Sequence, residues 1–377
     1  MHETHLRRNI MMGCIICAGV STGAFASPTN TTGGGAAFTA ATGALATFPH
    51  VDGNVSAIIP DGSGGSYVGG HFVAIGGIAR QNLAHITANG TVSAWDPRPN
   101  GPVEALHLFG QTLYVGGDYT RIGAGALARQ SLAAINITTE AVSLWNPHVT
   151  GHVRTILRIG TTVYAGGIFT THAVGRPQQR NLAAFSSIGA GAPTAWTPNP
   201  NNTVSALVRV NQTLYVGGCF RRIGPAQQIR THLAALPLTG IGNPTAWTAN
   251  ANGTVWAMTR VGGTLYVGGQ FTRIGRNHAA RARLAAIQLA TGNASAWDPS
   301  ANNDVNTLTR VGSKIYVGGA FTRIGRDHQR HVRLAALSLR SGKALGWSPA
   351  ANGLVKQVVT SGVQLQVGGL FTILTGP

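Results

Sequence analysis

An all-β fold of seven four-stranded repeats, closed into a propeller, is what the sequence predicts, and three observations predict it. The first is a recurring stretch, Leu265-Tyr266-Val267-Gly268-Gly269-Gln270-Phe271-Thr272-Arg273-Ile274-Gly275, whose tyrosine slot falls at Tyr67, Tyr114, Tyr164, Tyr215, Tyr266, Tyr316 and, substituted, Gln366. The steps between slots are 47, 50, 51, 51, 50 and 50 residues, a period that marks a repeat architecture. The second is a tryptophan ruler: Trp95, Trp145, Trp196, Trp247, Trp297 and Trp347 each stand 19 residues before the next tyrosine slot, and Phe48 fills the same place before Tyr67. The third lies at the chain ends. Residues 36–48 align without a gap to residues 285–297, so the chain opens with the last two strands of a repeat and stops just after the first two. Two halves from opposite ends then complete one sheet, which a ring needs to bury its edges and an open stack does not.

The elements follow from one repeat. In the copy centred on Tyr215, Val204–Val210 is the first apolar run, ended by a turn at Asn211-Gln212. Thr213–Phe220 is the second, a polar connection of about ten residues leads to the third at Leu233–Leu236, and Pro244–Trp247 is the fourth. Runs of this length, rich in aromatic and β-branched residues and bounded by Gly, Asn and Pro, read as strands. Four antiparallel strands per ~50 residues make a propeller blade. Length varies only between a tyrosine and the following tryptophan, which places insertions in the second-to-third connection. The glycine pair after each tyrosine reads as a close approach of backbones, and the tryptophans as wedges between neighbouring sheets. Trp-x-Pro segments such as Trp95-Asp96-Pro97 and Trp297-Asp298-Pro299 start the linkers between repeats. Arg80, Arg129, Arg230 and Arg281, three residues before the third run, are expected to fork onto carbonyls of the long connection.

The N-terminus reads as an export signal over residues 1–26, with Arg7 and Arg8 before a mostly apolar run and Ala24-Phe25-Ala26 at the cleavage site. Arg7-Arg8 also fits a twin-arginine pattern, and both export routes stay open. Residues 27–35 read as a short linker and 36–377 as a single domain. An exported protein that is soluble or surface-attached is expected, because no other segment approaches the ~20 apolar residues of a membrane span. Cleavage removes Arg7, Arg8 and Glu3 from 28 basic and 10 acidic residues, leaving 26 and 9. Of three cysteines only Cys219 survives, which excludes an internal disulfide and a cysteine metal site.

The segment Gly70-His71-Phe72-Val73-Ala74-Ile75-Gly76-Gly77-Ile78-Ala79-Arg80-Gln81-Asn82-Leu83-Ala84, continuing to Trp95, resembles the delta-60 repeat of secreted bacterial β-propeller proteins. The resemblance covers nearly everything from residue 36 onward and implies a propeller outside the cytoplasm. The chain departs from it at Thr171-His172-Ala173-Val174-Gly175 and at Gln366.

Catalytic constellations are thin. The mature carboxylates, among them Asp52, Asp61, Glu104, Glu140 and Asp327, are scattered over different repeat positions, and no cluster suggests calcium, zinc or paired-carboxylate chemistry. Residues 285–297 are similar to the tryptophan-docking motif of quinoprotein dehydrogenase propellers, but Gln288 replaces its Asp and the spacing is one longer, so only blade geometry is shared. No cofactor and no metal are expected. Trp256, which does not recur, is the candidate for an exposed sugar platform. Two further groups stand out. The residues just after each glycine pair (His71, Asp118, Ile168, Cys219, Gln270, Ala320, Leu370) all differ and are expected to ring one mouth of the channel. Arg222, Arg273, Arg276, Arg323 and Arg326, beyond the second run, should gather on the linker side, with Arg209, Arg260 and Arg310 toward the opposite side. The arginines admit two readings, a polyanion-binding face or braces that hold the loops. The expected function is binding or scaffolding by a monomer, toward an acidic glycan, lipopolysaccharide or another surface protein, and not toward nucleic acid. The alternative is an exported enzyme, quinoprotein-like or lyase-like, acting at the central mouth.

Overall fold

A computed structural model describes residues 30–31, 33–39, 45–171, 175, 178–362 and 364–376. The expected export signal, Cys14 and Cys17 lie outside these residues, as does most of the 171–175 departure. Among the described residues every regular element is a β-strand, and every strand pairing is antiparallel.

The repeat centred on Tyr266 shows how the sequence dictates the sheet. Val255–Val261, Thr264–Gly269 and Leu284–Gln288 pair in that order, the middle strand bonded to both others. The middle strand is fully buried from Leu265 to Gly269 while the first alternates, so the second run carries the core. The two glycines answer two separate crowdings. A Cβ on Gly268 would strike Val305 of the following sheet, and one on Gly269 would strike the Thr254 carbonyl of its own first strand. The same two relations recur in every repeat, including Gly368 against Val55 and Gly369 against the Leu354 carbonyl.

The fourth run differs from expectation. In most repeats it contributes a single bridging residue, as at Ile287↔Ala294 and Leu337↔Ala344, rather than a strand; Leu45–Ala46 alone keeps two paired residues among the described residues. The reason is local: the Ser295 hydroxyl accepts the Trp297 N–H at 3.2 Å, and Ser93, Ser143, Thr194 and Thr245 do the same for their tryptophans. A hydroxyl that captures the amide two residues on turns the chain out of the ladder. The indole then swings between sheets. Trp297 meets Tyr266 edge-on at 5.0 Å and donates from Nε1 to Ser338 O of the next sheet at 3.1 Å. Trp145 and Trp196 reach Ser186 O and Pro237 O in the same way. The core is accordingly a series of clusters between successive sheets.

The chain ends meet as the alignment anticipates. Gly35–Thr39 pairs with Gln364–Gly369, giving one four-stranded sheet with Leu45–Ala46 and Val355–Ser361. The stretch expected as a linker also takes part, since Asn30–Thr31 pairs with Ile373–Thr375. In other repeats that partner comes from the long connection, as Ala279–Ala280 does for Arg273–Ile274. Each first strand lies against the first strand of the following sheet, and Val355–Ser361 lies against Val51–Pro60.

Candidate functional site

The basic side chains are placed by an asparagine in each linker. Asn252 Oδ1 accepts the backbone N–H groups of Thr272 and Arg273 at 2.8 and 2.9 Å, while its Nδ2 donates to Thr272 Oγ1. Asn201, Asn302 and Asn352 accept the corresponding pairs of backbone N–H groups. Each clamp pins the long connection to the linker, so both lie on one side of their sheet. Just beyond it the connection folds into a short hairpin, Arg273–Ile274 with Ala279–Ala280, that apolar patterning does not reveal. Arg222, Arg273 and Arg323 cross their own hairpins, donating from Nη1 to Gln227 O, His278 O and His328 O at 3.1, 3.3 and 3.4 Å. These bonds are long, and all three residues remain exposed, as do Arg276 and Arg326. Among the described residues none of the five joins an ion pair. Both readings of these arginines therefore have a physical basis: in Arg222, Arg273 and Arg323 one N–H braces the loop, while all five residues stay exposed. Arg209, Arg260 and Arg310 sit at the other end of the strands, bonded through Nε to Asn211 O, Gly262 O and Gly312 O of the first turn.

Arg80, Arg129, Arg230 and Arg281 fork as expected, but across a wider gap. One arm takes the carbonyl of the preceding residue, the other a carbonyl of the fourth run, such as Thr245 O for Arg230 at 2.6 Å. Their charge is spent on the scaffold. Arg281 also lines a cleft of about 340 Å³ with Asp298, Ser300, Arg326 and His328, and its Nη1 lies 3.7 Å from Asp298 Oδ2.

Three of the residues after the glycine pairs, Asp118, Cys219 and Gln270, contact the following sheet. Asp118 Oδ2 lies 3.5 Å from His152 Nε2, Gln270 Nε2 donates to Asp304 Oδ2 at 2.7 Å, and Thr254 Oγ1 donates to Cys219 Sγ at 3.4 Å. His152, Asp304 and Thr254 each immediately precede the first-strand valine of the following sheet (Val153, Val305, Val255). His71, Asp118, Ile168 and Leu370 are exposed, and Cys219, Gln270 and Ala320 are half-buried.

A third group escaped the sequence reading. Every first strand carries a β-bulge, and the bulged residue is Ser56, Glu104, Arg154, Ser205, Trp256, Asn306 or Lys356. A bulge leaves the extra residue out of the ladder and re-aims its side chain. All seven are half-buried. Arg154 Nε lies 3.5 Å from Glu104 Oε2, and Lys356 Nζ donates to Ser56 Oγ at 3.1 Å. Burial holds the Lys356 ammonium below its ordinary pKa; Arg154 pushes the same way and Glu104 opposes. The signal was present in the sequence: one position per repeat, just after a constant valine, holds a different kind of residue almost every time. Trp256 stands out in the sequence only singly, without its register.

Among the described residues no group of His, Cys, Asp and Glu is placed to hold a metal ion, and no helix is long and apolar enough to cross a membrane. No family model and no curated protein matches the chain. Solved structures do. The WD40 β-propeller domain of Doa1 is similar over 87% of this chain and 94% of its own, with a TM-score of 0.54 and 11% identity. The computationally designed protein Ika8 is similar over 88% and 98%, with a TM-score of 0.52 and 11% identity. At that identity the likeness establishes the fold, a β-propeller, and nothing of its chemistry.

Proposed function

We propose that this chain is an exported, monomeric, closed seven-bladed β-propeller of the delta-60 repeat kind, whose linker-side face binds a polyanion such as an acidic glycan or lipopolysaccharide. Closure is supported by the sheet assembled from both ends and by the recurrence of the valine-on-glycine contact between Val55 and Gly368. Export is supported by the N-terminal sequence. A propeller offers binding surfaces at its two faces.

The observation that carries the binding reading is the set of exposed, ion-pair-free arginines held on asparagine-clamped hairpins. It is densest over the copies centred on Tyr215, Tyr266 and Tyr316. A clamp that fixes the backbone while leaving most of each guanidinium hydrated gives a preorganised positive surface. Guanidinium groups suit carboxylate, sulfate and phosphate oxygens. Such a field acts over about 8 Å at physiological ionic strength, so retention should fall steeply with salt.

The test replaces Arg222, Arg273, Arg276, Arg323 and Arg326 by glutamine together and follows heparin and lipopolysaccharide retention across a salt gradient. Elution at clearly lower salt with melting unchanged is the expected result. Unaltered retention, or destabilisation as the main effect, assigns these arginines to the scaffold instead.

A further inference from the structure

The bulged residues are a second surface, distinct from the basic face. Their neighbours on either side are consumed by packing: Val103 and Ala105 flank Glu104 at 0% and 5% exposure, and Val255 and Ala257 flank Trp256 at 0% and 9%. The bulged side chain is the one residue of the first strand released from both the ladder and the inter-sheet core. In a ring whose first strands are innermost, that residue aims at the axis. Two contacts already join neighbours in ring order, Lys356 to Ser56 and Glu104 to Arg154. The ammonium of Lys356 also feels the charges of Glu104 and Arg154, from the second and third sheets.

The order around the axis is then an arc of Lys356, Ser56, Glu104 and Arg154, followed by an arc of Ser205, Trp256 and Asn306. The first arc carries two cations and one carboxylate, a surplus of one positive charge. The second carries an indole between a hydroxyl and an amide, and the Ser205 hydroxyl is buried with no protein partner. Keeping a lysine in a partly dry site is unfavourable for folding unless something compensates it. An anionic group supplies that compensation, and an indole face opposite it suits a ring.

We infer that the axial channel binds a small cyclic monocarboxylate of the sugar-acid class, its carboxylate held by Lys356 and Arg154 and its ring against Trp256. This assignment rests on the closed-ring reading, but not on the basic face. Sugar acids fit the second arc better than purely apolar acids, because the Asn306 amide offers hydrogen bonds to ring hydroxyls.

Galacturonate and benzoate are titrated separately into the full mature protein, followed by calorimetry and indole fluorescence. Saturable one-site binding of galacturonate is expected, about tenfold weaker or more in Lys356→Gln and in Arg154→Gln. Its fluorescence change should vanish in Trp256→Phe, and heparin retention should stay unchanged in all three variants. The two charge variants sit in different sheets, so a folding defect in one leaves the other informative, and melting curves identify it. Absence of saturable binding by either acid, or affinity unaltered in both charge variants, overturns the site. Binding of benzoate alone overturns the sugar-acid class. An Ala36→Cys/Val367→Cys cross-link formed in the same protein verifies the ring, so a failed titration is then a failure of the site itself.

Discussion

The joint between the sheets centred on Tyr266 and Tyr316 and the joint between the last sheet and the first perform the same task with different chemistry. At the former, Trp297 wedges edge-on against Tyr266 and reaches one carbonyl of the next sheet. At the latter the tyrosine slot is Gln366 and the tryptophan slot is Phe48. Ser66 Oγ donates to the Gln366 side-chain oxygen, and the Gln357 amide brackets Ile58, accepting its N–H at 2.9 Å and donating to its carbonyl at 3.1 Å. Ser361 Oγ approaches the carbonyls of Gly64 and Gly65, and Lys356 meets Ser56. Both joints keep the valine-on-glycine contact. The difference follows from how the last sheet is built. Its strands come from opposite ends of the chain, so no loop sets the register between Gly35–Thr39 and Gln364–Gly369. Side-chain hydrogen bonds are directional, and a slipped strand would part the buried Gln366 side chain from the Ser66 hydroxyl. Packing suffices where a loop sets register; the closing joint adds polar pairs.

That contrast can be broken at either end. Trp297→Ala removes the wedge from an ordinary joint and should cost about 3–5 kcal/mol, read as a lower midpoint in denaturant. Gln366→Leu keeps the volume of the closing joint but strips the Ser66 hydroxyl of that acceptor, leaving it only the Gly65 carbonyl. The expected loss is smaller, about 1–3 kcal/mol. Equal losses would mean that the polar pair contributes as much as the wedge.

Lys356→Met sharpens the comparison further, because this contact of the closing joint is unfavourable. The folded-state pKa of Lys356 lies below its unfolded value, so the folded chain gives up the proton more readily. The protonated lysine therefore lowers stability throughout the range below that depressed pKa, and the penalty fades as pH rises toward 10.5, the ordinary lysine value. The methionine variant should melt slightly higher than the parent at pH 7, with the gap closing in alkaline buffer. A gap that widens with pH would contradict the assignment.

Much of the scaffold was legible in the sequence because two aromatic rulers, Tyr at the second strand and Trp at the inter-sheet wedge, repeat with little variation. The meeting of the ends was legible because residues 36–48 align with 285–297. The fourth strand was overread: Ser295 and its equivalents cap the tryptophan amide, and hydroxyl capture is invisible to apolar patterning. The small hairpins were missed because two-residue pairings such as Arg323–Ile324 with Gln329–Arg330 are too short to show alternation. Asn30–Thr31 read as a linker because its partner lies at the far end of the chain. For the candidate site, the exposed arginines were found from their recurrence. The bulged residues were not, since Ser56, Glu104, Arg154 and Lys356 share a register but no chemistry. A position that varies within a constant frame becomes meaningful only once a bulge shows where it points.

Closure is tested most directly by a cross-link between the chain ends. Ala36 and Val367 are Cα partners in the closing sheet and both are buried, at 1% and 0% exposure. Directly opposed antiparallel residues sit about 4.5–5.5 Å apart, within the span a disulfide bridges. In a Cys219→Ser background, Ala36→Cys/Val367→Cys should oxidise within one chain, run faster on a non-reducing denaturing gel and melt higher than its reduced form. A chain that stays uncross-linked under oxidant, or links only to other chains, would contradict the closed ring.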